Sequence, residues 1–436
     1  MKNFYIETLG CKVNQYESEG IAARLEEKGL QRSDKNQPHD ICIVNTCAVT
    51  SKAGMQSRQA IRKLIRENPD ARIIVTGCHA QTDPELIGKI EHVSQIVCHK
   101  DKTRIADEIL NPDGCHFDFK PVDHTKSNRF ESFQKPVKGS MSRAYLKIQD
   151  GCNAFCTYCI IPYARGSSVS MPMDTVMEHL KGLADEGFEE VILTGIHAGL
   201  YGQDLEPKTS LLDLMERIDR ERPVKQVRLG SIEPNEIEDG LIDMAADGHV
   251  LADHFHIPLQ SGDDAVLKRM KRPYDAGFFK TVVKKIHAKL PHAGIGVDVI
   301  VGFPGETDEH FENTYALIES LPVSYLHVFP FSARKGTPAF HFDGKVQESI
   351  VKERCAKLRE LDRVKRAAFV ERNKNRALPS LVQHTNDAKT GMLKAVSSNY
   401  LTLLAPHDPE IRGKIVPLCY TETEDGKTPV THVVES

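Results

Sequence analysis

The sequence has no apolar run approaching the roughly 20 residues that a membrane span requires, and its mean hydropathy is −0.37. Its start, MKNFYIETLGCKVNQYES, lacks the apolar core of a secretory signal. The formal net charge of −4 excludes a globally basic coat for nucleic acid, although it does not exclude local basic patches. These absences predict a cytoplasmic protein that has no membrane span.

A second absence concerns paired cysteines. The chain has 11 cysteines, and an odd number in a reducing compartment argues against a disulfide framework and for metal-binding or catalytic thiols. The length of 436 residues predicts about three domains, at roughly 150 residues each. The function should therefore be sought in the cysteines and in the domains that carry them.

The first part of the chain, residues 1–115, alternates short β-branched runs with helical stretches. The runs are Phe4–Leu9, Ile41–Asn45, Arg72–Thr76 and Gln95–Cys98, and the helical stretches between them include Glu17–Lys28 and Gln56–Asn68. This alternation predicts a parallel, doubly wound sheet of the flavodoxin-like kind. Residues 116–140 are rich in polar and turn-forming residues and show little periodicity, which is typical of a linker.

A second α/β region is predicted over residues 141–370, with six strands and helices between most of them. The predicted strands are Arg143–Ile148, Glu190–Thr194, Gln226–Leu229, His254–Ile257, Gly294–Val301 and Tyr325–Pro330. Six repeats indicate an incomplete (β/α)6 barrel, because a full barrel has eight. Residues 371–436 change character and predict five short strands, as in a small antiparallel β-domain.

Cys152, Cys156 and Cys159 form a CxxxCxxC loop in DGCNAFCTYCIIPYARG, directly after a predicted strand. Three thiolates in one loop can hold a 4Fe–4S cluster and leave one iron open. A zinc site is the alternative, but it needs a fourth ligand and more often uses paired CxxC units. Active sites of barrels lie at the carboxyl ends of the strands, where this loop is predicted to lie.

Cys11, Cys47 and Cys78 form a less obvious set, each just beyond the carboxyl end of a predicted parallel strand. Such ends share one edge of an open α/β sheet, so three thiolates distant in sequence can converge on a ligand. The alternative is three buried structural cysteines. Five cysteines show no comparable arrangement and are interpreted as core or surface residues: Cys42, Cys98, Cys115, Cys355 and Cys419.

The CxxxCxxC loop resembles that of the radical S-adenosylmethionine (SAM) superfamily. Five segments together resemble the methylthiotransferase family within it: TLGCKVNQYES, NTCAVTSKA, TGCHAQ, GCNAFCTYCIIPYARG and PGET. The resemblance covers nearly the whole chain and implies an N-terminal methylthiotransferase domain, a radical SAM domain and a C-terminal TRAM domain. It further implies two 4Fe–4S clusters, one on Cys152, Cys156 and Cys159 and an auxiliary one on the N-terminal cysteines.

The family resemblance also implies a reaction in which SAM is used twice, once as methyl donor and once as the source of a 5′-deoxyadenosyl radical. TLGCKVNQYES and LTGIHAGLYG are most similar to the branch that acts on N6-threonylcarbamoyladenosine at position 37 of tRNA. The motifs typical of the isopentenyladenosine branch and of the ribosomal-protein aspartate branch are absent. The electron donor and the source of the inserted sulfur remain unidentified partners.

Further site residues are predicted from their position in the barrel and from the chemistry of the substrate. Seven residues at strand ends or in the cysteine loop are predicted to bind SAM: Tyr158, Thr194, Gly195, Ser231, Glu233, Gln260 and Asp298. The threonylcarbamoyl group carries a carboxylate, so a basic residue is expected in its pocket. The candidates are Arg165, Arg334 and Lys335, although relatives often have proline in place of Lys335.

A local excess of basic residues indicates where RNA would bind. Residues 351–376 contain ten Lys or Arg and four Asp or Glu, a local balance of +6 beside the predicted TRAM domain. Alone, such a run is more typical of a solvated helix face, but a TRAM domain is generally an RNA-binding module. A zinc-containing RNA-binding protein and a simple electron carrier are the rival hypotheses from other classes.

Overall fold

A computed structural model describes residues 2–110, 122, 130–133, 141–422 and 428–434. The chain divides into two compact units. The first comprises Met1–Val137, Lys147–Met171 and Ser332–Phe340; the second comprises Lys138–Leu146, Pro172–Phe331 and His341–Ser436. The loop that carries Cys152, Cys156 and Cys159 therefore belongs to the same unit as the N-terminal cysteines.

The first unit contains a five-stranded parallel sheet. Its strands are β1 (Asn3–Thr8), β2 (Gln31–Arg32), β3 (Ile41–Thr46), β4 (Arg72–Gly77) and β5 (Val93–Ile96). They lie in the order β2–β1–β3–β4–β5, and Ile43 of β3 is opposite Ile6 and Ile74. This is the flavodoxin-like order, in which the winding reverses between β1 and β3. The prediction of a flavodoxin-like sheet is confirmed.

The helices of this sheet are α1 (Lys12–Glu27), α2 (Ser51–Glu67), α3 (Cys78–Thr82), α4 (Pro84–Gly88) and α5 (Ile105–Leu110). Helix α2 shows why such segments fold as they do. The Thr50 hydroxyl caps its first turn by accepting a hydrogen bond from the Ala53 N–H at 3.0 Å. Its buried residues recur every three or four positions, which gives one face toward the sheet: Gly54, Ser57, Ile61 and Leu64.

The cysteine loop lies within a short hairpin that follows strand β6 (Ala144–Lys147). Strand β7 (Gln149–Asp150) pairs antiparallel with β8 (Val169–Ser170). Helix α6 (Ile161–Arg165) lies between them, directly after the last cysteine, and packs against α3 of the N-terminal sheet. The hairpin thus ties both ends of the loop together.

The second unit contains the barrel. With β6, its strands are β9 (Glu190–Thr194), β10 (Gln226–Leu229), β11 (His254–Gln260), β12 (Gly294–Val301) and β13 (Tyr325–Pro330). They form two three-stranded sheets, β10–β9–β6 and β11–β12–β13. Single parallel bridges, Val227 with Leu251 and Ser231 with His256, connect the two sheets. The predicted incomplete six-stranded barrel is confirmed.

Amphipathic helices accompany the barrel strands. They are α7 (Met173–Asp185), α8 (Leu211–Glu221), α9 (Asp239–Asp247), α10 (Asp264–Arg269), α11 (Ala276–Lys289), α12 (Asp308–Ser320) and α13 (Glu348–Arg372). Helix α8 begins with a capping box, in which Ser210 and Asp213 satisfy each other's backbone N–H groups. It buries apolar residues at helical spacing toward the barrel: Leu211, Leu214, Met215 and Ile218.

The C-terminal region folds into an antiparallel five-stranded sheet. Its strands are β14 (Leu378–Asn386), β15 (Leu393–Ser397), β16 (Thr402–Ala405), β17 (Ile415–Cys419) and β18 (His432–Val433), in the order β16–β15–β14–β17–β18. The fold agrees with the expected small β-domain. Its core is apolar, and Phe369 at the end of α13 is part of it. The other core residues include Val382, Leu393, Leu403, Leu418 and Tyr420.

A loop of this small domain, Ser397–Tyr400, closes the amino-terminal end of the barrel, and we call it the floor loop. The Arg228 guanidinium donates to the backbone carbonyls of Ser398, at 2.6 Å, and Ser397, at 3.0 Å. The Tyr400 ring stacks on His254, the first residue of β11, with 4.4 Å between ring centroids. The C-terminal domain therefore forms its own sheet and also closes one end of the barrel.

Most predicted elements agree with the structure to within a few residues, but the first two helices begin earlier than predicted. Helix α2 begins at Ser51, five residues before the predicted start at Gln56. Helix α1 begins at Lys12, five residues before the predicted start at Glu17. Its first turn is polar, which conceals the helical period in the sequence, although Asn14 and Tyr16 are buried. The predicted linker, residues 116–140, lies mostly outside the described residues. Of its described residues, Phe133 is buried, and its ring contacts that of Tyr16 with 6.0 Å between centroids.

Within the described part of the chain, no helix is long and apolar enough to span a membrane.

The arginine of β10 that binds the floor loop offers a test of this architecture. Replacing Arg228 with Met should lower the free energy of unfolding by about 3–5 kcal/mol, because Glu190 would keep a buried charge without its main partner. Arg363→Met is the control, since its pair with Glu360 is exposed and contributes less than about 1 kcal/mol. Urea unfolding of both variants measures the difference. Equal effects would contradict a role for Arg228 in the floor.

Candidate active site

The CxxxCxxC loop has a compact, hydrogen-bonded shape. The Cys152 N–H donates to the Gly166 carbonyl at 3.0 Å, and the Cys159 N–H donates to the Cys156 carbonyl at 3.0 Å. Cys156 is buried, whereas Cys152 and Cys159 are half-buried. The Ala154 N–H points at the Cys152 sulfur from 3.4 Å. An amide directed at a cysteine sulfur suits a thiolate ligand of an iron–sulfur cluster, because hydrogen bonds to sulfur stabilise its negative charge.

The N-terminal cysteines lie at the carboxyl ends of three neighbouring strands. Cys11 follows β1, Cys47 follows β3 and Cys78 follows β4. Cys11 and Cys47 thus flank the point at which the winding of the sheet reverses, where flavodoxin-like folds bind their ligands. The predicted common edge is present in the structure.

Glycines allow these cysteines to approach one another. Gly77, before Cys78, has φ +98°, and a Cβ there would lie 2.3 Å from the Thr46 carbonyl oxygen. Gly10, before Cys11, has φ +102°, and a Cβ there would lie 2.9 Å from the Cys47 sulfur. Both positions therefore exclude a side chain, which explains the Gly-Cys pairs in the N-terminal motifs.

The three N-terminal thiols are close enough to influence one another. Burial, together with the neighbouring Cys78 and Cys11 thiols, raises the pKa of the Cys47 thiol to about 11. Alone, this group would resist ionisation, whereas a bound cation would offset the cost. The backbone N–H groups of Asn14 and Val49 act on Cys11 and Cys47 respectively and favour their thiolates. This donor set fits a metal cluster better than it fits inert core cysteines.

Arg165, the last residue of α6, joins the two cysteine sets. Its Nε donates to the Cys78 sulfur at 3.3 Å. Its Nη1 donates to Glu17 Oε1 and Asp150 Oδ1, both at 2.9 Å. Its Nη2 donates to Asn14 Oδ1 at 2.7 Å and Glu17 Oε2 at 3.3 Å. All five N–H donors of the guanidinium are thus used within the protein.

Buried charges surround this arginine. Lys147 donates to Asp150 at 2.8 Å, and Lys102 pairs with Glu17. Burial alone would raise the pKa of the Asp150 carboxyl, but Lys147 and Arg165 hold it well below its usual range. Burial would likewise raise the pKa of Glu17, which Arg165 and the two lysines lower instead. Both carboxylates are therefore ionised.

His99 completes this group but carries no charge at neutral pH. Burial and the charge of Arg165 together lower the pKa of its imidazole to about 4. Its Nε2 lies 3.3 Å from Asp150 Oδ2. We call the six residues the buried ion network: Glu17, His99, Lys102, Lys147, Asp150 and Arg165. Of these, sequence reasoning identified Arg165 alone, because the others are distant in sequence and form no motif.

The prediction that Arg165 binds the substrate carboxylate is not supported by this geometry. Its side chain has no exposed surface, and its donors are already used by two carboxylates, one amide and one sulfur. A substrate carboxylate would have to displace Glu17 or Asp150 from a buried site. Arg165 therefore has no donor left for a substrate carboxylate in this arrangement.

Arg334 and Lys335 lie in a loop of the first unit that contacts the start of α2. The Ser51 N–H donates to the Ser332 hydroxyl at 2.8 Å, which fixes the loop at that helix. Arg334 Nη2 lies 3.8 Å from Asp83 Oδ2, and Lys335 is exposed. Both cations keep donor capacity for a ligand, so both remain predicted substrate residues.

The predicted SAM-binding residues of the second unit lie at the ends of consecutive strands. Thr194 ends β9 and is buried, and Gly195 follows it. Ser231 follows β10, and its hydroxyl lies 2.8 Å from His256 Nδ1. Gln260 ends β11 with φ +66°. Their shared position at the carboxyl ends agrees with a ligand site, and their contacts with SAM stay a prediction.

Glu233 and Tyr158 are also predicted to bind SAM; the first is in an ion pair, and the second lies in a loop. Glu233 pairs with Arg272, whose side chain is almost fully buried, so this carboxylate is fixed in place. Tyr158 lies in the CxxxCxxC loop, in the first unit, and is half-buried.

Asp298 is held by two histidines. His256 Nε2 lies 2.9 Å and His327 Nδ1 3.1 Å from Asp298 Oδ1. Burial would raise the pKa of Asp298, but its hydrogen bonds with both histidines lower that pKa well below the usual range. His256, in the middle of β11, is thus part of a polar cluster in the barrel. His327 was not predicted, although alternation along β13 places it on the same face as the exposed Phe329.

The described cysteines outside the two sets are buried. Cys42 packs in the core of the first sheet, and Cys98, Cys355 and Cys419 are also buried. Cys115 lies outside the described residues. The interpretation of the four described cysteines as structural agrees with their burial.

Comparison with known proteins identifies the family. Residues 3–99 match the uncharacterized protein family UPF0004, and residues 146–318 match the radical SAM superfamily. The chain is 38% identical to the threonylcarbamoyladenosine tRNA methylthiotransferase MtaB of Bacillus subtilis, over 95% of this chain and 93% of that protein. The chain belongs to the radical SAM methylthiotransferase family. As a member it is an enzyme that uses SAM and a 4Fe–4S cluster.

Other relatives of this methylthiotransferase belong to two named groups. The MtaB protein of Thermotoga maritima is 38% identical over 83% of this chain and 82% of its own length. A tRNA-2-methylthio-N(6)-dimethylallyladenosine synthase of Clostridium botulinum, strain Loch Maree, is 33% identical over 82% of this chain and 81% of its own length.

Among solved structures, the cobalamin-containing radical SAM methyltransferase TsrM from Kitasatospora setae matches with a TM-score of 0.55 at 14% identity, covering 78% of this chain and 77% of that one. OxsB, a cobalamin-dependent radical SAM enzyme, matches with a TM-score of 0.52 at 14% identity, covering 82% and 56%. At these identities the likeness concerns the fold alone.

Replacing Cys156 with Ala should remove the cluster of the CxxxCxxC loop. The iron content should fall by about four atoms per chain, and reduction in the presence of SAM should no longer yield 5′-deoxyadenosine. Cys355→Ala is the matched control, because Cys355 is also buried but lies in α13. Iron analysis and chromatography of the nucleoside products measure both effects. Full iron content in Cys156→Ala would refute the assignment.

Proposed function

We propose that this enzyme converts N6-threonylcarbamoyladenosine at position 37 of tRNA to its 2-methylthio derivative. The observation that carries the proposal is the presence of two cysteine sets, each suited to a cluster, in one compact unit. Similarity favours this substrate, since MtaB relatives share 35–39% identity and dimethylallyladenosine relatives 31–33%.

Within this proposal, Cys11, Cys47 and Cys78 hold an auxiliary 4Fe–4S cluster. Three thiolates leave one iron open in each cluster, which suits one cluster for SAM and the other for sulfur delivery. When bound, the two clusters supply reductive cleavage of SAM and a methylated sulfur for transfer. The protein contributes the thiolates and the N–H groups directed at them.

SAM is proposed to bind along the strand ends of the barrel. Thr194, Gly195, Ser231 and Gln260 offer hydroxyl, backbone and amide groups there, and Tyr158 adds a phenol in the cysteine loop. Asp298 and Glu233 stay proposed SAM-binding residues, and protein imidazoles and a guanidinium hold their carboxylates in place. Each orients its partners, Asp298 the imidazoles of His256 and His327, and Glu233 the guanidinium of Arg272.

The substrate carboxylate is proposed to be bound by Arg334 and Lys335. Their positive charges distinguish an acidic threonylcarbamoyl group from an apolar isopentenyl group. Arg334 is close to Asp83, but the separation of 3.8 Å is longer than that of a direct hydrogen bond. The guanidinium can therefore engage a second carboxylate.

The tRNA is proposed to contact the second unit through α13 and the C-terminal sheet. Several basic residues of α13 are used in ion pairs, Lys357 with Glu353, Arg363 with Glu360 and Arg366 with Asp362. These pairs reduce the positive potential of the helix, so phosphate binding depends on the sheet as well. Removal of the C-terminal domain would also remove the floor loop and open the barrel. Point substitutions in the domain therefore test its role in tRNA binding better.

A zinc-containing RNA-binding protein is the alternative from another class. It would purify colourless, would hold zinc and would not cleave SAM. A simple electron carrier usually holds its cluster with four thiolates, whereas each set here offers three.

Loss of the modified nucleoside from cells tests the substrate directly. In a deletion strain, mass spectrometry of tRNA nucleosides should show unmodified threonylcarbamoyladenosine in place of its methylthio derivative. The wild-type gene should restore the methylthio group, and a Cys47→Ala gene should not. Loss of methylthio from isopentenyladenosine instead would assign the enzyme to the other branch.

The auxiliary cluster can be tested separately from radical formation. A chain with Cys11, Cys47 and Cys78 replaced by Ala should bind about four iron atoms in place of about eight. It should still yield 5′-deoxyadenosine but should form no methylthio product, because sulfur delivery is lost. Iron content, nucleoside release and product formation are measured on the same preparation. Eight iron atoms in this variant would exclude these cysteines as ligands.

The carboxylate-binding proposal predicts a selective loss. Arg334→Ala with Lys335→Ala should raise KM for tRNA carrying threonylcarbamoyladenosine by about tenfold or more, the equivalent of a charge-assisted contact of 1.5–3 kcal/mol. SAM cleavage without tRNA should be unchanged. Lys345→Ala, an exposed lysine elsewhere, is the control. An unchanged KM in the double variant would refute the assignment.

A further inference from the structure

One side chain contacts the structural elements that carry both cysteine sets. Arg165 bonds to Asn14 and Glu17 of α1, the helix that begins directly after Cys11, and to the Cys78 sulfur at the start of α3. It also bonds to Asp150, two residues before Cys152. Its own helix begins two residues after Cys159. The Arg165 guanidinium therefore links, by hydrogen bonds, the segments that carry the two cysteine sets.

The surroundings of this side chain leave a net positive charge. In the buried ion network, the three cations Arg165, Lys147 and Lys102 face two carboxylates, while His99 is neutral at pH 7. One positive charge is left, and Arg165 presents it directly to sulfur. The five charged side chains are buried, so water screens the charge weakly.

We propose that Arg165 is a positioning residue for the auxiliary cluster, holding the Cys78 thiolate by an N–H···S hydrogen bond and fixing its orientation toward the CxxxCxxC loop. The inference rests on the proposed function, because it requires the N-terminal cysteines to hold that cluster. A hydrogen bond to a ligand sulfur and a nearby positive charge both stabilise the reduced cluster, which carries one more negative charge. Arg165 accordingly raises the reduction potential of the auxiliary cluster.

Apolar packing supports the same arrangement. Ala48 and Cys78 from the N-terminal sheet form one buried cluster with Ile160 and Ala164, the residues beside and within α6. This packing brings α6 against α3, and only a long, forked side chain at position 165 then reaches α1, α3 and β7 at once. A lysine keeps the charge but lacks the fork.

Two variants separate the hydrogen bond from the charge. Arg165→Lys keeps the positive charge and removes the Nε donor to Cys78. Lys102→Met removes a positive charge from the same network and leaves that donor in place, because Lys102 pairs with Glu17 and not with the sulfur. Lys102→Met is therefore the matched control for a loss of charge and for a disturbance of the network.

The measurement is a potentiometric titration of the auxiliary cluster, followed by electron paramagnetic resonance. The full-length, reconstituted chain carries Ala at Cys152, Cys156 and Cys159, so that only the auxiliary cluster contributes. Arg165→Lys should shift the potential to a more negative value, and the shift should exceed that of Lys102→Met. A potential unchanged by Arg165→Lys, or a shift no larger than that of Lys102→Met, would overturn the inference.

Two controls distinguish the possible failures. Iron content of the parent chain is measured first, and a chain without iron would refute the auxiliary cluster and thus the proposed function itself. A bound cluster with an unshifted potential would refute the role of Arg165 alone. Circular dichroism and thermal unfolding establish that Arg165→Lys is folded. If it does not fold, Asn14→Ala serves as the second variant, because it removes one of the anchors of Arg165 and should cause a smaller negative shift.

Discussion

The five hydrogen bonds of Arg165 are the interaction on which the rest of the site depends. A buried guanidinium is stable only where carboxylates compensate it, and buried carboxylates need cations in turn. Glu17 and Asp150, from elements 133 residues apart in sequence, meet this condition together. The network thereby brings the N-terminal sheet and the CxxxCxxC hairpin into a single compact unit, although a barrel strand separates them along the chain.

The sequence predicted the fold well because its main determinants are local and periodic. Strands Glu190–Thr194 and Gly294–Val301 are rich in β-branched residues, and they occur where predicted. The short hairpin of β7 and β8 was missed, since two-residue strands carry no pattern. The start of α1 was also missed, because buried polar residues such as Asn14 hydrogen-bond to the neighbouring strand ends and conceal the helical period.

Site residues that form a sequence motif or follow predicted strands were predicted, whereas residues that meet only in the folded chain were missed or given the wrong partner. The cysteine loop is a sequence motif, and the predicted strand ends placed Cys11, Cys47 and Cys78 at a common edge of the sheet. Arg165 was identified for its charge but given the wrong partner, because nothing in the sequence indicates that Glu17 and Asp150 surround it. His327 was missed for a similar reason: its partner Asp298 lies on another strand, and only the barrel brings them together.

The floor loop gives the chain a constraint during synthesis. The barrel strands end at Pro330, but the residues that close the amino-terminal end of the barrel, Ser397–Tyr400, emerge from the ribosome about 70 residues later. Until then Arg228 has Glu190 but lacks its carbonyl partners, and His254 lacks its stacked ring. The nascent barrel therefore stays open at one end until the floor loop of the C-terminal sheet has been synthesised, and the barrel can complete its folding only after that point.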